Sequence, residues 1–272
     1  MKVYVVVALY YPSYYEKVQK SIESIFDDNS YELVYVDNST ENISHRSINR
    51  KELWIKGSNV GGEFSAWDEG YDYINENYTL FPDDVFLFLN DTFCHHHYFT
   101  FYDKFLYRKV IKNCREKNIF GELNGVKKEF AINNYIFSKW VSSYILILTK
   151  SSVDKLLPFN KVSSIDEIVL DDIKSKLSDN QVIVPFFSES LNVHLTNWLF
   201  PTDNNGWYNA KKGNLDIYMF KLKAIMNEKF ITYSALKNDL IINDIYAIKY
   251  SRIYNSIRTR LYEFNRRRKV VG

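Results

Sequence analysis

Apolar residues fall along the first half of this chain in short continuous runs, each closed by a polar cluster. Residues 2–9 (KVYVVVAL) form the first run and exit through Tyr10-Tyr11-Pro12-Ser13. Runs this short, apolar on every side, predict strands buried on both faces of a sheet rather than helices. Tyr14, Val18, Ile22 and Ile25 then recur at three- and four-residue steps, which predicts an amphipathic helix over 14–27. A second strand (33–36) closes at Asp37-Asn38-Ser39-Thr40, and LWIK (53–56) reads as a short third. The loop Gly57-Ser58-Asn59-Val60-Gly61-Gly62 leads into a helix over 63–75. The fourth run, 85–89, starts after Asp83-Asp84 and stops abruptly at Asn90-Asp91-Thr92.

Beyond Thr92 the periodicity weakens. Residues 99–116 read as a helix, 118–134 as irregular, and SSYILILT (142–149) as another buried strand. SSVDKLLPF supplies a helix start with serine at its cap, and 166–177 reads as a helix with acids at its front. QVIVPFF (181–187) reads as a final strand, and the stretch LNVHLTNWLFPTDNNGWYN after it as a loop. From 215 to 268 the pattern is helical. Strands and helices in this order predict an α/β fold with a mostly parallel, Rossmann-like sheet flanked by helices. The expected division is one such domain over 1–210 and a helical, basic C-terminal extension over 211–272.

A chain of 272 residues with 46% hydrophobic positions is long enough for a large core and is not disordered. Its 22 tyrosines and 19 phenylalanines offer rings of the kind that hold sugars, although a codon bias toward Tyr, Asn, Lys and Ile would enrich them too. Cys94 and Cys114 make neither a metal spacing nor a disulfide framework, so a reducing cytoplasm is expected. The apolar run at the N-terminus is too short for a membrane span and lacks a small-residue cleavage site, so it reads as a strand. The net charge of +2 hides an asymmetry: from Lys249 onward eight Lys/Arg face only Glu263, about +7, leaving the body near −5.

In a parallel sheet the polar exits at Asp37, at Asn59–Gly62 and at Asn90-Asp91-Thr92 open on one edge, where ligands bind. An acid after an early strand can hydrogen-bond a ribose or base. A Gly-Gly loop opening a helix lets the backbone approach a ligand closely. An acid at a further exit can hold Mn²⁺ or Mg²⁺ against a diphosphate, because hard cations prefer oxygen. Together the exits describe a nucleotide-diphosphate pocket, with Tyr10 of the first exit beside it. Each exit is equally the composition of an Asx-turn or of a tight turn into a helix.

VDNST (36–40), NVGGEFSAWDEGY (59–71), LFLNDT (87–92) and VSSYILILTKSSVDKLLPF (141–159) carry a resemblance to a known family. The chain resembles GT-A-type glycosyltransferases of the family 2 kind, and is most similar to the rhamnan-synthesis-like enzymes of bacterial surface polysaccharides. The resemblance covers roughly residues 2–190. It implies transfer of a sugar from a nucleotide-diphosphate donor to a polysaccharide or lipid-linked glycan acceptor, with inversion. It also implies that Asp37 contacts the nucleotide, that Asn59, Gly61 and Gly62 shape its pocket, that Asn90 binds the nucleotide-sugar, and that Asp91 is the metal or diphosphate ligand. Three departures stand out. The family's two-acid motif is reduced to Asp91, between Asn90 and Thr92; Glu63 stands where the family tends to have Asp; and Gly62 replaces a frequent basic residue.

Inverting transfer needs a carboxylate that takes the acceptor's proton. The family position for it falls on SSIDEIVLDDIKSKL, which nominates Asp166 or Glu167 first and Asp171 or Asp172 second; acids in a first helical turn also simply suit its dipole. His194 is the candidate late histidine returning to the metal, with Asn192 and Trp198 nearby. Three consecutive histidines, His95-His96-His97, seldom converge on one metal and read as surface or pocket-edge residues. Trp67, at helical spacing, reads as core. At the C-terminus Tyr250, Ile253, Ile257, Leu261 and Phe264 make an apolar stripe beside a basic cluster. It suits either peripheral attachment to an anionic membrane surface, such as the inner face of the cell membrane, or docking on the domain. No nucleic-acid motif accompanies the charge, so nucleic acid is not an expected partner. The rival class is a non-catalytic nucleotide- or glycan-binding module. A nucleotidyltransferase is disfavoured because ALYYPSYYEK has no glycine-rich phosphate loop.

Overall fold

Val3, Val5, Val6 and Val7 place β-branched side chains along strand β1 (Val3–Leu9), an interior strand, third of seven, buried on both faces of the sheet. The computed structural model describes residues 1–26, 30–39, 52–96, 98–201, 214–247 and 249–271. β1 pairs in parallel with β2 (Tyr31–Asp37) on one side and β4 (Val85–Asn90) on the other, and β3 (Glu52–Lys56) adds to β2 in the same direction. Beyond β4 lie β6 (Tyr135–Thr149), β5 (Asn118–Ile132) and β7 (Ile241–Asp244), giving the order β3-β2-β1-β4-β6-β5-β7. Of the seven strands only β6 runs against the rest. The expected α/β architecture with a mostly parallel sheet is therefore observed.

Period-two alternation divides the strands between two cores. Val5, Val7, Leu87 and Leu89 face α1 (Tyr15–Ile25) and α3 (Phe101–Asn113), meeting Val18, Ile22 and Leu106. Tyr4, Val6, Phe86 and Phe88 face the other side, against Phe64, Trp67 and Ile74 of α2 (Glu63–Asn77), Val153 of α4 (Lys150–Leu156) and Ile231 of α7 (Leu215–Lys237). Trp67 is fully buried as expected, its indole N–H donating to the Leu89 carbonyl at 3.0 Å. A third core fills the far end of the β5–β6 hairpin: Phe130 and Phe137 with Ile173 and Leu177 of α5 (Glu167–Ser178), Leu195 of α6 (Glu189–Leu199) and Leu222 and Met226 of α7.

The second half departs from the sequence pattern in three places. Residues 118–134, which read as irregular, are strand β5 and its turn, where Asn133 takes a positive φ of 49°. The segment 181–187 does not join the sheet as a strand: its amides at Val182 and Val184 donate to side chains of Thr196 and Asn192 on α6. The stretch read as a loop after it begins with helix α6, capped by Ser188.

The expected domain boundary at 210 lies outside the described residues, but the chain from 214 onward is not an appended helical unit. α7 packs into two of the three cores and β7 pairs with β5. Helix α8 (Lys249–Val271) is fastened by a buried polar network. Arg258 pairs with Asp103 of α3 at 2.8 Å and with Glu122 of β5 at 3.6 Å, and Tyr246 and Tyr254 donate to the same Asp103 carboxylate at 2.7 and 2.8 Å.

Candidate functional site

The strand register brings the polar exits to one edge. Leu9 pairs with Asp37, Asp37 with Lys56, and Ala8 with Asn90, so β1, β2, β3 and β4 all end at the same level. There a cavity of about 540 Å³ opens, with Tyr10, Tyr11, Asn38, Gly62, Asn90 and Asp91 along its sheet side. Glu63 at the start of α2, Ser142, Ser143 and Tyr144 of β6, and Phe220, Lys221 and Glu228 of α7 complete the wall, with Trp198 of α6.

Asp91 is 2% exposed and is fixed from behind. Its Oδ2 accepts the amides of Tyr10 at 2.7 Å and Tyr11 at 2.6 Å, while its own amide donates to Ala8. Burial pushes its pKa up to about 6, the Glu63 charge adds to this, and the Tyr11 and Tyr10 amides oppose it. Its neighbour Asn90 makes an Asx-turn, Oδ1 accepting from the Thr92 amide and hydroxyl. Glu63 is also held up in pKa, first by burial and then by the Glu228 charge, against hydrogen bonds from its own amide and Ser143 and the charge of Lys221. Glu228 accepts the Ser143 amide through Oε1 at 3.1 Å and pairs with Lys229 through Oε2 at 3.1 Å. Three carboxylates thus share one cavity with a lysine.

The glycine loop divides in two. Gly62 lines the cavity in a left-handed conformation (φ 62°, ψ −134°) that L side chains rarely adopt. Gly61 is instead a packing glycine: a Cβ there would lie 2.5 Å from Cγ of Asn160, whose amide oxygen accepts from Asn227. Asn59 takes a positive φ of 55° in the turn and does not line the cavity.

Several expected residues lie elsewhere. Asp37 is buried at the end of β2, its Oδ1 accepting the Ser39 amide and hydroxyl and its Oδ2 facing Lys56 at 3.5 Å. The cavity is lined by its neighbour Asn38, which donates to the Gly62 carbonyl at 3.0 Å. Asp166 caps α5 by accepting the Ile168 amide at 2.8 Å, and it, Glu167, Asp171 and Asp172 are exposed outside the cavity. Among the described histidines, His95 stacks on Tyr14 at 3.6 Å and His96 lines the cavity rim; His97 lies outside the described residues.

His194 lines a second cavity of about 360 Å³, not the one at Asp91. It packs on Phe130 and Trp140 (ring centroids 4.9 and 5.6 Å), and burial followed by the Lys229 charge lowers its pKa. The expected pairing of Asp91 with His194 around a cation is therefore not what the fold assembles. Among the described residues no group of three or more His, Cys, Asp or Glu side chains could hold a metal by itself. What the donor set fits is a hard cation shared with a ligand's own phosphate oxygens, for which one or two carboxylates suffice. Asp91 and Glu63, which both line the cavity, would hold it.

Glu228 and Lys221 were not foreseen from the sequence. They sit inside a 23-residue helix whose pattern signals only packing, and the trace they leave is polar Asn227, Lys229 and Thr232 at buried positions of that helix. Compared with protein-family models, with curated proteins and with solved structures, the chain finds no match in any of the three.

Proposed function

We propose that the chain is a glycosyltransferase that takes a sugar from a nucleotide-diphosphate donor and passes it to a glycan or lipid-linked acceptor with inversion. One observation carries this reading: Asp91, buried and held by the Tyr10 and Tyr11 amides, lines a cavity at the carboxyl edge of parallel strands together with Glu63, Glu228 and Lys221. Ligands of open α/β sheets bind at that edge. The sequence motifs that resemble GT-A enzymes supply Gly62, Glu63, Asn90 and Asp91 of the wall.

In this reading the nucleotide lies over Tyr10, Tyr11 and Asn38, and its diphosphate reaches Asp91 past Gly62, where the absence of a side chain allows close approach. Lys221 offsets the phosphate charge. A divalent cation, when bound, neutralises charge on the diphosphate leaving group; Asp91 and Glu63 would hold it. The base role moves from Asp166 and Glu167 to Glu228, which lines the same cavity from α7 and is oriented by the Ser143 amide and Lys229. Its carboxylate takes the acceptor hydroxyl proton as that oxygen attacks the anomeric carbon and the nucleoside diphosphate departs.

The test is a thermal-shift series with UDP-, GDP- and dTDP-sugars, each with and without Mn²⁺. A ligand bound by the native state alone raises the melting temperature by mass action. One donor class should shift it, more with Mn²⁺ than without, and that donor should then release nucleoside diphosphate slowly. No shift with any donor overturns the proposal, and binding without any release favours a non-catalytic nucleotide-binding module.

A further inference from the structure

Helix α8 presents its apolar side outward. The residues it turns toward the domain are polar or aromatic: Ser251 and Arg258 are buried, and Tyr254 and Asn255 are half-buried between them and solvent. Tyr254 packs edge-on against Tyr102 of α3 at 4.7 Å, the Tyr102 hydroxyl meets Ser251 at 2.8 Å, and Arg258 reaches Asp103. Ile253, Ile257, Leu261 and Phe264 follow one another at steps of four, four and three residues and are each 51–54% exposed. A surface helix of a globular domain ordinarily does the reverse, burying its apolar stripe and showing its charges. The neighbouring α3 adds Phe101, 81% exposed, and Phe105, 51% exposed. Single exposed apolar side chains need no explanation, but a periodic stripe along one helix marks a surface that something covers.

We infer that this face of α8 lies on an anionic lipid surface. The charge selects the occupant. From Lys249 onward the sequence holds eight Lys/Arg and a single acid. By helical spacing Arg260 falls between the stripe positions 257 and 264, and Arg267 follows it by two turns. Basic side chains beside an apolar face suit a bilayer interface, where the aliphatic stems lie along the apolar layer and the charges reach phosphate headgroups. A clustered basic segment is drawn to anionic lipid by roughly 1 kcal/mol per residue near the surface. A second copy of this chain would instead set one strongly basic helix against another. No helix among the described residues is long and apolar enough to cross a membrane, so the attachment is to the surface. The inference does not depend on the glycosyl-transfer proposal, since vesicle binding needs no donor.

Removing the helix is a poor test, because it strips buried Asp103 of its Arg258 partner. The full chain should be sedimented with vesicles of phosphatidylcholine alone and of phosphatidylcholine mixed with phosphatidylglycerol, at low and high salt. It should pellet only with the anionic vesicles and less at high salt. Ile257→Asp with Leu261→Asp, both at exposed positions, should weaken pelleting roughly tenfold or more, and so should Arg266→Glu with Arg267→Glu. No pelleting with anionic vesicles overturns the inference, as does equal pelleting by the Ile257/Leu261 variant. A lipid-free dimer that the same variant converts to monomer also overturns it, in favour of a second copy.

Discussion

The Tyr11 amide donates to Oδ2 of Asp91 across 2.6 Å, and the Tyr10 amide donates to the same oxygen at 2.7 Å. Asp91 is thus a structural anchor for the β1 exit as well as a wall of the cavity. Asp91→Ala leaves two part-buried amides unpaired and should cost about 2–4 kcal/mol in urea unfolding. Asp91→Asn keeps an acceptor oxygen and should stay within about 1 kcal/mol of the parent at pH ~4, where the parent carboxyl is itself protonated, while donor binding with Mn²⁺ at neutral pH falls at least tenfold. Asn is therefore the informative substitution. Undiminished Mn²⁺-dependent binding by that variant would remove Asp91 from the site.

The same carboxyl sets a pH dependence. Its native pKa is raised to about 6, above the unfolded value near ~4. Between those values the native state holds the proton more tightly than the unfolded chain. The contribution to stability is therefore full below pH ~4 and is lost as pH rises through about 6. Measured against Asp91→Asn, which cannot titrate, the parent should lose about 2 kcal/mol across that window. A parent that gains on the variant over the same range would mean that the ionised carboxylate is the favoured form. Cation-dependent donor binding should show the opposite trend and rise through the window, because the cation requires the ionised group.

In the proposed glycosyl transfer Glu228 acts on the acceptor rather than the donor, held by the Ser143 amide of β6 and by Lys229. Glu228→Gln should leave donor binding within about threefold and reduce transfer on the order of 10²–10⁴-fold. Steady-state rates with a competent acceptor, beside donor titration by calorimetry, separate the two effects. Loss of donor binding with an unchanged rate at saturation would assign Glu228 to the nucleotide instead.

The half of the fold built on β1, β2 and β4 was legible because those strands are buried on both faces and so carry continuous apolar runs. β5 was not: Lys127, Lys128 and Glu129 are exposed one after another inside a register shift between Gly125 and Phe130, which breaks the period. The segment 181–187 has a strand's composition, yet its Val182 and Val184 amides go to Thr196 and Asn192 side chains and only Phe187 bridges to β5, a tertiary arrangement that no local pattern encodes. At the site, Asp91, Asn90 and Gly62 could be read because they sit at strand exits next to recognisable turns. Glu228 could not, since its place in the cavity wall depends on how α7 packs over β6. Asp37 was misleading for a local reason: it satisfies its own Asx-turn and Lys56, and leaves the cavity to Asn38.

Arg258 holds the C-terminal helix to the domain through buried charge. Its guanidinium meets Asp103 at 2.8 Å and Glu122 at 3.6 Å, and Asp103 also accepts from Tyr246 and Tyr254 while closing the capping box of α3 with Thr100. Replacing the arginine takes its charge away from two buried acids, Asp103 and Glu122. Arg258→Met, which keeps much of the aliphatic stem, should therefore cost about 3–5 kcal/mol in urea unfolding. The double variant Arg258→Met with Asp103→Asn removes one of those charges with its partner and should recover part of the loss. If the two substitutions are additive instead, the pair contributes no mutual stabilisation. α8 would then be held by Tyr254 and Ser251 on Tyr102, and Tyr254→Ala would become the substitution that releases it.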